Sequence, residues 1–185
     1  MIAAIALPPS LASAQVVDTG QGRVELFGQA PAACLLRAPI ASNAVNATFG
    51  NATATSAEIQ IVQLANPQTA QPQAASIDLA FPVVGNSAHR LTSRSLNGGL
   101  LRDGATARVP APAGGLGEFI GYQLGARWAG TEVSVESDVT NIILIDSARA
   151  SAGDVQLRFA VSAGGSVLIA GRYADAVIVE FQVAN

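Results

Sequence analysis

The chain predicts an all-β fold, an Ig-like Greek-key β-sandwich. From residue 15 onward, apolar residues alternate with polar ones at a period of two and show little helical period. Gly, Pro, Asn and Ser break the alternation at short intervals, as turns between strands do. The 185 residues, half of them hydrophobic, suit one core rather than two.

The elements follow in order. Ile2 to Leu7 is an apolar run, and Ala12-Ser13-Ala14 is an A-x-A pattern that would release Gln15, so residues 1–14 read as a signal segment, although no Lys or Arg precedes the run. In residues 15–30, Val24 and Leu26 alternate with Arg23, Glu25 and Phe27 and predict a first strand. Residues 31–185 then form the sandwich domain. Asn66 to Ala75 is polar and broken by Pro, hence an exposed loop. Ile77, Leu79, Phe81 and Val83 share one strand face, with Pro82 marking an edge strand or a strand end. His89 to Ser95 is a polar strand, and Asn97-Gly98-Gly99 a tight turn after it. Ile120, Tyr122 and Leu124, then Val139 to Ile145, then Val155, Leu157, Phe159 and Val161 give three more strands. Breaks at Ala163-Gly164-Gly165 and Ala170-Gly171-Arg172 flank Val167 to Ile169. The strongest strand comes last, with Val177, Val179, Phe181 and Val183 on one face and Ile178, Glu180 and Gln182 on the other. Roughly seven strands result, the number of an Ig-type sandwich. No other stretch reaches the ~20 apolar residues of a membrane-spanning helix, so no transmembrane segment is expected in the mature chain.

Composition argues against chemistry. The chain has one His, one Cys and 12% charged residues. A hydrolase would have to use His89 with Ser87, Ser93 or Ser95, and no G-x-S-x-G elbow accompanies them. There is no Cys pair, no His pair and no acidic loop with calcium-ligand spacing, since Asp138 and Asp146 lie on or beside a strand; Glu132 and Glu136 read as a solvated strand face. Neither catalysis, a metal nor a cofactor is expected. All ten basic residues are Arg, scattered from Arg23 to Arg172, which leaves no stripe for nucleic acid. Cys34 is alone and reads as a small buried side chain. Asn46-Ala47-Thr48 and Asn51-Ala52-Thr53 match the glycosylation acceptor pattern and read as incidental.

Three segments together resemble the spore coat protein U family, the secreted subunits of archaic chaperone-usher pili. Gly22-Arg23-Val24-Glu25-Leu26-Phe27-Gly28 runs into Cys34 and Ala47-Thr48-Phe49-Gly50. Arg90 to Leu100, with its N-G-G turn, leads to Tyr122-Gln123-Leu124. Ala170-Gly171-Arg172-Tyr173-Ala174-Asp175-Ala176-Val177-Ile178-Val179 is similar to the family's C-terminal G-x-Y-x-D strand, the most specific of the three. The resemblance implies a sandwich lacking its last strand, whose groove is filled first by a periplasmic chaperone and then, through an outer-membrane usher, by the N-terminal strand of another pilin subunit. It implies a donor segment in residues 15–30 with Val24 and Leu26 as anchors. The acceptor groove would be bordered by Val177, Val179, Phe181 and Val183. It also implies a disulfide from the early cysteine, yet Val84-Gly85-Asn86, where the partner would stand, holds none. The expected role is a filament subunit in adhesion or biofilm formation, exported to the cell surface. The alternative is a self-contained secreted sandwich that binds carbohydrate or another surface ligand, for which Val24 and Leu26 form an ordinary first strand.

Overall fold

A computed structural model of the chain describes residues 25–184. The chain divides into Met1–Ala30 and Pro31–Asn185. The signal segment and Val24 lie outside the described residues.

The described residues contain strands and no helix: β1 Cys34–Leu36, β2 Ile40–Val45, β3 Ala47–Gly50, β4 Glu58–Ile61, β5 Ala75–Gly85, β6 His89–Ser95, β7 Leu100–Arg102, β8 Leu116–Gly117, β9 Phe119–Ile120, β10 Gln123–Trp128, β11 Thr131–Glu136, β12 Ile142–Ser147, β13 Ser151–Val161, β14 Val167–Leu168, β15 Tyr173–Ala174 and β16 Val177–Val183. The larger sheet runs β1-β5-β13-β10-β11, with β2 joining β5 further along. The second sheet runs β12-β6-β16. Three small pairings complete the fold: β3 with β4, β7 between β15 and β9, and β8 parallel to β14. All pairings in the two main sheets are antiparallel. No helix among the described residues is long and apolar enough to cross a membrane.

The period-two pattern of the sequence becomes the pattern of burial, because successive side chains leave a strand on opposite faces. On β5 Ile77, Leu79, Phe81 and Val83 are buried, and on β13 Val155 and Leu157 are buried opposite them. Leu124, Ala126 and Trp128 of β10 extend this layer. From the second sheet Leu91, Ile143 and Ile145 meet it, and all of these belong to one core. Each fully buried aliphatic side chain contributes about 1.5–3 kcal/mol.

Several expectations need correction. Pro82 does not mark an edge, since β5 is paired on both sides. Its missing N–H is tolerated because it falls where the neighbouring ladder breaks between β1 and β2, while its carbonyl still accepts from Arg37 N at 3.0 Å. No strand forms over residues 25–30, where Leu26 is 93% exposed. Val139 belongs to a turn, with its N–H on Glu136 O at 3.0 Å, and is 82% exposed. His89 begins a strand as expected, and the strand read as polar buries it fully. The β10–β11 hairpin carries no Asn-Gly or Asp-Gly signal; Ala129 and Gly130 supply the two positive φ angles, 48° and 82°.

Candidate functional site

The second sheet is unfinished at β16. Leu96 N donates to Ala176 O at 2.9 Å and Ala184 N to Ala88 O at 3.0 Å, so the even-numbered residues of this stretch exchange bonds with β6. Backbone direction alternates along an antiparallel ladder, which turns the N–H and C=O groups of Val177, Val179, Phe181 and Val183 away from β6. Among the described residues no strand pairs with that edge. The same four side chains face inward yet are only half-buried, whereas Leu91 and Ile143 on the neighbouring strands are 0% and 1% exposed.

The facing edge of the larger sheet is also open. Arg37 N bonds Pro82 O and Asn86 N bonds Ala33 O, so Cys34 and Leu36 of β1 direct their backbone groups away from β5. β16 also approaches β1. Toward the Val177 end the two sheets part around an apolar cavity of about 650 Å³. Its floor is the core face of the larger sheet, Ile77, Leu79, Phe81, Leu157 and Phe159, and its rim includes Val177 and Val179. The residues expected to border an acceptor groove thus divide. Val177 and Val179 line the cavity, while Phe181 stacks on His89, with ring centroids 4.7 Å apart, and Val183 lies opposite His89 in the ladder.

The mouth of the groove is held by Asp175. Its carboxylate accepts from the Ser95 hydroxyl, from Tyr122 OH at 2.7 Å, and from the backbone N–H groups of Asn97 at 2.9 Å and Ala176 at 2.8 Å. The Ser95 oxygen in turn accepts from Gly98 N at 2.8 Å. One side chain therefore ties the N-G-G turn, the link between β9 and β10 at Tyr122 and the start of β16 together. Gly98 has φ 75°, as the turn demands. Gly99 is required by close approach instead, since a Cβ there would meet Ile120 O and the Phe119 ring at 2.5 Å. Two residues before Asp175, Tyr173 OH lies 2.8 Å from the carbonyls of both Gly117 and Ile169.

Burial, followed by the nearby Asp175 carboxylate, pushes the Tyr122 phenol far above its ordinary value. A folded pKa above the unfolded one means that its contribution is intact below the ordinary tyrosine range and declines as pH rises past about 10. Chemical unfolding at stepped pH is expected to show stability falling above about pH 10, with a shallower fall in Tyr122→Phe.

The opposite end of the groove is closed by a buried aromatic group. His89 Nδ1 donates to Ser87 O at 2.8 Å, and its Nε2 accepts from Trp128 Nε1 at 2.8 Å. Both ring nitrogens are thereby used, leaving none for a neighbouring serine. Ser95 is committed to Asp175, Ser87 Oγ donates to Ala88 O, and Ser93 Oγ is buried without a partner. Cys34 is half-buried, and burial pushes its thiol above the ordinary value. The residue opposite it in the ladder is Gly85, whose missing Cβ would lie 2.7 Å from His89 Nδ1. No group of three or more His, Cys, Asp or Glu among the described residues is arranged to hold a metal.

The inward face of β16 was legible in the C-terminal alternation, while the groove itself was only what the resemblance implied. The other wall was not legible. Thr53–Ala57, Ile59 and Ile61 also line it, and they come from a region with weak alternation. Comparison with protein-family models, with curated proteins and with solved structures finds no match.

Proposed function

We propose that this chain is a structural subunit of a bacterial surface filament, an incomplete Ig-like Greek-key sandwich joined to its neighbours by strand donation. The observation that carries the reading is the outer edge of β16, where unpaired backbone groups of Val177 and Val179 border an open apolar cavity. An unpaired edge beside an unfilled core is a liability in a monomer and a bond in an assembly. A donated strand supplies the missing ladder, while its alternate side chains fill the cavity. The donor is the segment before Pro31 in another copy, with Val24 and Leu26 as anchors; Leu26 stands 93% exposed. Such a subunit crosses the periplasm with a chaperone in the groove and leaves through an outer-membrane usher for a surface role in adhesion or biofilm formation.

Direction favours a second copy over the chain's own segment. Pro31 O accepts from Asn86 Nδ2 at 2.9 Å, placing the entry to β1 beside the β5–β6 turn, where β16 ends. A segment of the same chain laid in the groove would run parallel to β16 and then reverse at Pro31. A segment from another copy is free to pair antiparallel, the slightly stronger arrangement. The carbohydrate-binding alternative draws no similar support, since Trp128 and Tyr122 are buried and Tyr173 is half-buried.

The test is thermal unfolding of a chain beginning at Pro31, with and without a synthetic peptide of the Gln15–Ala30 sequence. At a hundred times its dissociation constant the peptide is expected to add about 2.7 kcal/mol. The gain should vanish when Val24 and Leu26 of the peptide are both Asp. A chain indifferent to the peptide removes strand donation.

A further inference from the structure

The hairpin formed by β3 and β4 stands apart from both main sheets, since its ladder bonds run only between its own strands. Its base is closed by one residue. Asn46, at φ 51°, donates through Nδ2 to Gln63 O at 2.8 Å and to Ala74 O at 3.1 Å. Its Oδ1 accepts from Gln63 N at 2.9 Å, and its carbonyl accepts from Val62 N at 3.0 Å. The tip is a self-contained turn in which Thr53 N bonds Ser56 O at 2.7 Å, and the Thr53 hydroxyl accepts from Ser56 N at 3.0 Å.

The register places Ala47 opposite Ile61 and Phe49 opposite Ile59, so one face of the hairpin carries four apolar side chains. Ala47, Phe49 and Ile61 rest on the core, while Ile59 and the tip residues Thr53–Ala57 line the same cavity as Val177 and Val179. A two-stranded hairpin is marginal by itself in water and keeps its place through such a seat. Moving it breaks no ladder bond of either main sheet.

We infer that the β3–β4 hairpin is a hinged cover: it fills the mouth of the groove in the free subunit and turns out about Asn46 when a strand pairs with β16. The inference rests on the reading of the groove as a strand acceptor. A guest strand needs the cavity beside Val177 and Val179, and the tip residues form one wall of that cavity. Until then the cover shields an apolar wall that would otherwise invite indiscriminate edge pairing. The guest's apolar side chains replace those of the cover, so that the exchange exposes little new surface.

Hydrogen exchange on the full-length monomer, with and without the Gln15–Ala30 peptide, separates the two ideas. Bound peptide is expected to protect the amides of Val177 and Val179 and to speed exchange in β3 and β4 by about tenfold or more. Protection at β16 with an unchanged or better protected hairpin overturns the cover and leaves strand acceptance standing. No gain at Val177 and Val179 removes strand acceptance, and the cover with it. Ile59→Ser gives a second reading, because Ile59 is 37% exposed and its change spares the core. The variant is expected to bind the peptide several-fold more tightly, since its cover is seated less well. Weaker binding would make the hairpin a fixed wall of the groove and overturn the inference.

Discussion

Trp128→Ala is expected to cost about 3–5 kcal/mol of stability, read as a lowered urea midpoint. The indole is 4% exposed and meets the Phe181 ring edge-on at a centroid distance of 5.6 Å. Removing it leaves a cavity between the sheets. It also removes the one donor to Nε2 among the described residues from a histidine that is 0% exposed, so a buried acceptor loses its partner. Trp128→Phe separates the two effects, because it keeps most of the volume and drops the N–H; its cost should be nearer about 1–3 kcal/mol. A loss below about 1 kcal/mol in Trp128→Ala would mean that the aromatic group does not join the sheets.

Asp175→Ala is expected to cost about 2–4 kcal/mol, more than any surface charge in the molecule. Four donors converge on this carboxylate: two hydroxyls and two backbone N–H groups. Bonds to an ionised acceptor are stronger than neutral ones, and deleting the acceptor strands every donor at once. By contrast the Arg90–Asp146 and Arg158–Asp78 pairs lie at the surface, where ion pairs contribute little. Thermal unfolding measures the loss. Alkaline titration of Tyr122 checks the cause, since removing the carboxylate should lower the phenol's pKa. Asp175→Asn should lose less, because its amide oxygen still accepts. Equal losses for Ala and Asn would show that the charge matters and the geometry does not.

The aromatic group and the free cysteine bear on each other. Cys34 is the one cysteine of the sequence and has no disulfide partner within the chain. The ladder puts Gly85 directly across from Cys34, and the His89 ring fills the space that a side chain at position 85 would need. In this chain the end of the sandwich is tied by a buried His–Trp hydrogen bond and ring packing. The tie at the other end, Asp175, comes from the motif that was most specific in the sequence.

Alternation by itself determined the all-β class and the inward faces of β5, β13 and β16, because a strand sorts its side chains by parity whatever its neighbours are. Composition gave the single His and single Cys. Tertiary structure decided whatever depends on neighbours. Pro82 became an interior residue because the break between β1 and β2 met its missing N–H. Leu26 stayed exposed because the described chain offers it no ladder. His89 went into the core because Trp128 and Ser87 satisfied both its nitrogens. That no described strand pairs with the outer edge of β16, and that the β3–β4 hairpin lines the cavity beside it, could not be read from residue types. Strand order is set by long-range pairing, and a sequence records each strand's faces but not which of its edges is left unpaired.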